Sequence, residues 1–214
     1  MFLSDRDLAQ AIDSKLLIVD PRPERIDTCA IDLHLDRIEE AKVWSVEKYE
    51  KSQRVRGAEP YLRIGSFHYK DFAPEYLSPV PADTSLPVFR DGELVVLRQN
   101  GFVLWQTKEE VGTPEEGARF VCFIEGKSSR ARTGLLIHMT APIIHANWRG
   151  KVTLEICNLG PFTVALKAGD AVAQLAVAAL TSPPLERRPE GQIAIGQRNV
   201  EGGGSAIARA PGNG

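Results

Sequence analysis

The sequence predicts a mainly β fold, a sandwich, jelly roll or distorted β-barrel, with a short N-terminal helix. Three observations carry that expectation. Strand-like segments recur at short spacing from Glu93 onward, turn residues separate most of them, and no helical periodicity of comparable strength lies among them. A capping signature in the first ten residues marks the helix.

In that helix Ser4 stands as N-cap with Asp7 three residues on, the arrangement of a capping box, and Leu3 is placed to staple onto Leu8. Leu8, Ala11 and Ile12 make its buried stripe, and Pro21 and Pro23 end the unit. From Ala30 to Leu35, Ile31, Leu33 and Leu35 alternate with Asp32 and His34, the period of a half-buried strand. Residues 41–86 read as a loop-rich excursion with short strands. Residues 42–56 are highly charged there, and Pro74, Pro79, Pro81 and Pro87 interrupt any long element. Strands follow over residues 93–97, 101–107, 119–124, 135–140, 151–158, 162–166 and 171–180, with turns at Asn100-Gly101, 158–161 and Ala168-Gly169-Asp170. Residues 1–190 form one expected domain. Residues 191–214 form a Gly-rich tail, with a run at Gly202-Gly203-Gly204, that is expected to be mobile and available as a lid.

Composition narrows the function classes. A chain of 214 residues, 43% of them hydrophobic, can bury one sizeable core. A formal net charge of -2 and a pI near 6.1 provide no basic field for nucleic-acid backbone, so any phosphate affinity must be local. Neither an N-terminal apolar targeting segment nor a membrane-spanning run is present, and Cys29, Cys122 and Cys157 are odd in number and far apart. A cytoplasmic protein with three cysteines acting as small buried hydrophobes is expected.

Two segments concentrate chemistry. Lys127-Ser128-Ser129-Arg130-Ala131-Arg132 sets basic side chains and hydroxyls in one short loop, and Trp148-Arg149-Gly150 leads into a strand carrying a lone carboxylate, Glu155. Lysine point charges, arginine forks and hydroxyl donors from one loop suit phosphate oxygens, although a solvated charged turn is the commoner fate of such a run. On the strand, Val152, Leu154 and Ile156 share one face, and Thr153, Glu155 and Cys157 the other. A carboxylate on that semi-apolar face is either a solvent-facing edge residue or a proton shuttle, its pKa raised by burial and lowered by a neighbouring cation such as Arg132. Trp148 reads equally as core or interface filling and as a wall for a ligand.

Several alternatives fail. Gly126-Lys127-Ser128 resembles the end of a Walker A loop, but Val121 stands where that loop needs glycine. The His-x-Glu and Pro-Cys-x-x-Cys arrangement of zinc nucleobase deaminases is missing, His34, His68, His138 and His145 show no ligand spacing, and there is no Gly-x-Ser-x-Gly elbow.

From the Lys127–Arg132 segment outward, the chain resembles the dCTP deaminase branch of the trimeric dUTPase superfamily. The resemblance runs from Leu3-Ser4-Asp5-Arg6-Asp7 and Asp20-Pro21-Arg22-Pro23 through Gly101-Phe102-Val103-Leu104, Thr107 and Pro114. It continues with Lys127 to Leu135, Thr140-Ala141, Trp148-Arg149-Gly150, Leu154-Glu155-Ile156, Asn158 and Ala173-Gln174-Leu175, leaving residues 41–86 unmatched. It implies a dUTPase-like jelly roll, a homotrimer with inter-subunit active sites, and zinc-independent deamination of dCTP to dUTP and ammonia, with Mg²⁺ carried on the triphosphate. Some family members go on to dUMP and pyrophosphate, and dTTP is a family inhibitor. Carried over, Glu155 is the general base, Ser128 and Arg132 position and polarise the site, Lys127 and Ser129 meet the triphosphate, and the main chain around Thr140 and Ala141 reads the base edge. His145, Trp148, Gln174 and Gln197 complete the substrate-binding set.

The chain departs from the family pattern at His145-Ala146-Asn147, where relatives have Asp-Pro-Gly with the aspartate on the sugar hydroxyl, and in the tail, which keeps Gln197 but has no tyrosine or lysine near it. Gln192 and Arg198 are candidate substitutes there. Lys127 replaces the usual arginine. These changes leave open a hydrolase of the same fold acting on another or modified pyrimidine nucleotide, and a non-catalytic nucleotide-binding trimer.

Overall fold

The computed structural model describes residues 1–184. In chain order the elements are α1 (Asp5–Asp13), β1 (Ile18–Asp20), β2 (Ile31–His34), β3 (Lys42–Trp44), α2 (Val46–Val55), α3 (Tyr69–Tyr76), β4 (Leu77–Pro79), β5 (Val88–Asp91), β6 (Leu94–Leu97), β7 (Phe102–Gly112), β8 (Phe120–Gly126), α4 (Ser128–Ala131), β9 (Leu135–Leu136), β10 (Ile143–Ile144), β11 (Arg149–Asn158), β12 (Val164–Lys167) and β13 (Ala171–Ala179). They make a jelly-roll type of fold. A six-stranded sheet runs β4-β3-β7-β11-β9 with β1 also on β7, a four-stranded sheet runs β10-β8-β13-β2, and a three-stranded sheet runs β12-β6-β5.

The core lies between the inner faces. Leu33, Leu97, Val103, Trp105, Leu154, Ile156, Val172 and Leu175 are fully buried there. Each such aliphatic or aromatic side chain contributes about 1.5–3 kcal/mol by leaving water. The Trp105 indole N–H is not lost in the process: it donates to the carbonyls of Asp36 and Arg37, each at 3.1 Å. At the register shift between β7 and β11, the Thr107 hydroxyl accepts from the Val152 amide and donates to the Glu109 carbonyl. The irregularity therefore leaves these backbone groups paired.

The N-terminal helix forms as expected, with both halves of the Ser4–Asp7 capping box present and Leu8 and Ala11 buried. Most expected strands appear with shifted ends; the one expected over 135–140 is only β9, and β1, β5 and β10 are additional. Residues 41–86 differ from the loop-rich expectation, since they contain α2 and α3. Helix α2 has no buried residue, so it carries no strong apolar stripe in sequence. What orders the region is a cluster of rings in which Phe72 touches Trp44, Tyr49, Phe67 and Tyr76 at centroid separations of 4.6–5.4 Å. Cys122 and Cys157 are buried as expected, but Cys29 is exposed, because it sits in the turn before β2. Among the described residues no helix is long and apolar enough to cross a membrane.

Candidate active site

Strand register places Glu155. It pairs with Leu104 of β7, and Leu104 in turn pairs with Lys42 of β3, so the three lie in one cross-strand line with their side chains on one face. Leu154 and Ile156 point the other way into the core. On the opposite side of β11, the β9 pairs Cys157–Leu136 and Asn158–Leu135, continued two residues, bring His138 alongside Glu155. The two meet: His138 Nδ1 lies 2.6 Å from Glu155 Oε2, with the imidazole side chain 8% and the carboxylate 33% exposed.

His138 Nε2 is 2.9 Å from the Ala141 carbonyl. A carbonyl can only accept, so Nε2 carries a hydrogen, and a second on Nδ1 facing the carboxylate makes an imidazolium. Burial pushes the His138 pKa down, but Glu155, the Ala141 carbonyl and the charge of Glu125 together outweigh it and raise the pKa above its ordinary value. Among the described residues no ion pair joins Arg132 to Glu155; the basic side chain beside Glu155 is His138. The sequence reading missed His138 because it sought metal-ligand spacing. A usable signal was present: alternation over 135–140 puts Leu135 and Ile137 inward and His138 on the face that carries Glu155.

A second cluster forms at the loop after β8. Lys127 precedes α4, and its ammonium hydrogen-bonds both carboxylate oxygens of Asp32 on β2. Gln174 of β13 pairs with Asp32 across the strands, and its amide lies 3.5 Å from the same carboxylate. Asp32 was also absent from the sequence-derived site, though it stands in the recognised β2 alternation. Ser128, Ser129 and Arg132, following Lys127, are exposed, as are Thr140 and Ala141 just after His138 and His145 just after β10. The loop end is fixed by backbone contact: Gly134 has φ +88°, and a Cβ there would come within 2.3 Å of the Gly160 Cα.

Trp148 is half-buried against the edge of the core. Its carbonyl accepts from the Thr113 amide at 2.8 Å. The face shared with Glu155 also carries Lys151, which pairs with buried Asp36 at 2.6 Å, and Gln106, which donates to the same carboxylate at 2.8 Å. Burial raises the Asp36 pKa, but Lys151, the Arg37 amide and Gln106 more than offset this and hold it below the usual value. Gln197, Gln192, Arg198 and the expected lid lie outside the described residues.

Thus one chain presents two separate groups of polar side chains: Glu155–His138 on the outer face of the six-stranded sheet, and Asp32–Lys127–Gln174 with Ser128, Ser129 and Arg132 at the end of the four-stranded sheet. A jelly roll bearing an acid–base pair and a local cationic loop is the class these features define. Residues 2–180 match the family model described as dCTP deaminase-like, and the chain belongs to that family. It is 32% identical over 199 residues to a dCTP deaminase, dUMP-forming, of Corynebacterium jeikeium, covering 92% of this chain and 90% of that protein. It is 29% identical over 204 residues to a dCTP deaminase of Thermomicrobium roseum, covering 93% and 91%. The solved 2'-deoxycytidine 5'-triphosphate deaminase of Agrobacterium tumefaciens matches with a TM-score of 0.52 at 15% identity, over 82% of this chain. This chain spans about half of that protein, 47% of its length, and the likeness concerns the fold.

Proposed function

We propose that the protein is a cytoplasmic enzyme that deaminates dCTP, presented as its Mg²⁺ complex, with water and without zinc. The observation that carries this reading is Glu155 held against His138 on a half-buried sheet face. Glu155 takes a proton from water as the oxygen attacks C4 of the cytosine and returns it to the departing amine, so dCTP and water become dUTP and ammonia. Its Oε2 is anchored by His138, and the opposite carboxylate oxygen is the one directed to the reacting water. Ser128 and Arg132 position and polarise the site, Lys127 and Ser129 meet the triphosphate, and the backbone at Thr140 and Ala141 reads the base edge. Trp148, His145, Gln174 and Gln197 complete the contacts. The resemblance to a trimeric family supports a complete site formed between subunits of a homotrimer. dTTP binds the same pocket as an inhibitor.

A second reading is favoured by the name of the Corynebacterium relative, dUMP-forming: a further water then releases pyrophosphate and leaves dUMP. Incubation with Mg²⁺ and, separately, dCTP, dUTP and CTP, following ammonia, pyrophosphate and nucleotides together, separates these outcomes. Ammonia with dUTP supports deamination alone, and ammonia with dUMP and pyrophosphate supports the combined reaction. Silence with all three substrates overturns both and leaves a hydrolase of another or modified pyrimidine nucleotide or a non-catalytic nucleotide-binding trimer.

A further inference from the structure

The face that carries Glu155 is covered by part of the 41–86 excursion, and that cover contains an unsatisfied group. Trp44 lies two residues along β3 from Lys42, and so on the same face as Lys42, Leu104 and Glu155. The ring of Tyr69, at the start of α3, meets Trp44 edge-on at 6.2 Å and Phe67 at 6.5 Å. The hydroxyls of its neighbours are accounted for: Tyr49 donates to the Tyr61 carbonyl at 3.1 Å, and Tyr76 pairs with Ser52 at 2.9 Å. The Tyr69 hydroxyl is buried with no hydrogen-bond partner. Leaving such a group unmet costs about 1–3 kcal/mol, a penalty most folded proteins avoid. Phenylalanine would fill the same ring position without it.

We propose that Tyr69 is a further residue of the active site, its hydroxyl donating a hydrogen bond to the water on which Glu155 acts. This rests on the deaminase reading above. Burial, and after it the negative charge of Glu155, push the phenol up to about 12, so the carboxylate lies close enough to be felt although the two make no direct hydrogen bond. At neutral pH the phenol keeps its proton throughout, so it can donate a hydrogen bond but does not act as the base. A water held by Tyr69 on one side and Glu155 on the other is fixed in orientation before attack, which is where positioning lowers a barrier.

The test uses the full chain with Tyr69→Phe, which removes one oxygen and keeps the ring. The expected result is a kcat for dCTP deamination lower by about tenfold or more, with KM within about twofold and a Tm unchanged or raised. A structural role for the ring alone does not move kcat in this variant, so a kcat within about twofold of the parent overturns the proposal. A parent that turns over none of the nucleotides defeats the functional reading instead, and placement is then decided without turnover. In protein labelled with 3-fluorotyrosine, the Tyr69 ¹⁹F signal is identified by its loss in Tyr69→Phe and followed as Mg²⁺ and dCTP are added. Movement of that signal upholds Tyr69 as a ligand-facing residue, and a signal that stays in place overturns it.

Discussion

The β7–β11 pair and the 41–86 excursion reach the same face by different physics. Strand β11 is held along β7 by a ladder running from Arg149–Gly112 to Cys157–Phe102, with one register shift, and a slip by one residue would turn Glu155 into the core. The excursion joins β7 through the single pair Lys42–Leu104, holds its two strands together by the short β3–β4 ladder, and is otherwise ordered by tilted and edge-to-face ring contacts. Backbone pairing fixes an address almost independently of side chains, whereas ring packing fixes it through side chains alone. The frame therefore sets where Glu155 stands, and the excursion sets what covers it.

The largest effect should come from the frame. Glu155→Gln preserves shape and removes the base, and dCTP turnover should fall by about a thousandfold, equivalent to about 4 kcal/mol of barrier; turnover near that of the parent removes Glu155 from the role of base. Next, Gly134→Ala forces a Cβ against the Gly160 backbone at positive φ and should cost about 3 kcal/mol in urea unfolding. An unchanged midpoint would show that the loop end relaxes freely. The comparison itself is tested by Trp44→Ala, expected to lose about 2 kcal/mol because Trp44 is only half-buried. Hydrogen exchange should then rise in α2 and α3 while β7 and β11 keep their protection. Equal loosening of both would abolish the distinction.

The smallest effect concerns His138. Its pKa is raised on folding, so its pairing with Glu155 stabilises the fold fully below the ordinary value near 6.5, and that contribution fades as pH rises through the folded value. The Tm difference between the parent and His138→Asn should therefore be larger at pH 6 than at pH 9. A difference that grows with pH contradicts the ion pair.

Much of the frame was legible because two-residue alternation and turn chemistry report directly on a half-buried sheet: Ile31, Leu33 and Leu35 fell inward as their spacing requires. The α2 and α3 helices were not, since charge dominates α2, Pro74 lies inside α3, and their order comes from contacts with Trp44 and Phe72 rather than from local pattern. At the site, Glu155 and the Lys127 loop were visible as isolated oddities of residue type. His138 and Asp32 were not, because each gains meaning only from the strand beside it. Cys29 was misjudged for a related reason: apolar neighbours in sequence say little about exposure in a turn.

All four tyrosines, Tyr49, Tyr61, Tyr69 and Tyr76, lie within residues 41–86, while the three tryptophans stand at the junction with β7 (Trp44), in the core (Trp105) and at the edge of the core (Trp148). Only Trp44 mixes the two sets, since it belongs to the cover. Phenol absorption and its near-ultraviolet dichroism report on the cover of the site, and in a Trp44→Phe variant the remaining indoles, Trp105 and Trp148, report on the frame. Melting that variant with both signals followed resolves whether the two regions unfold together.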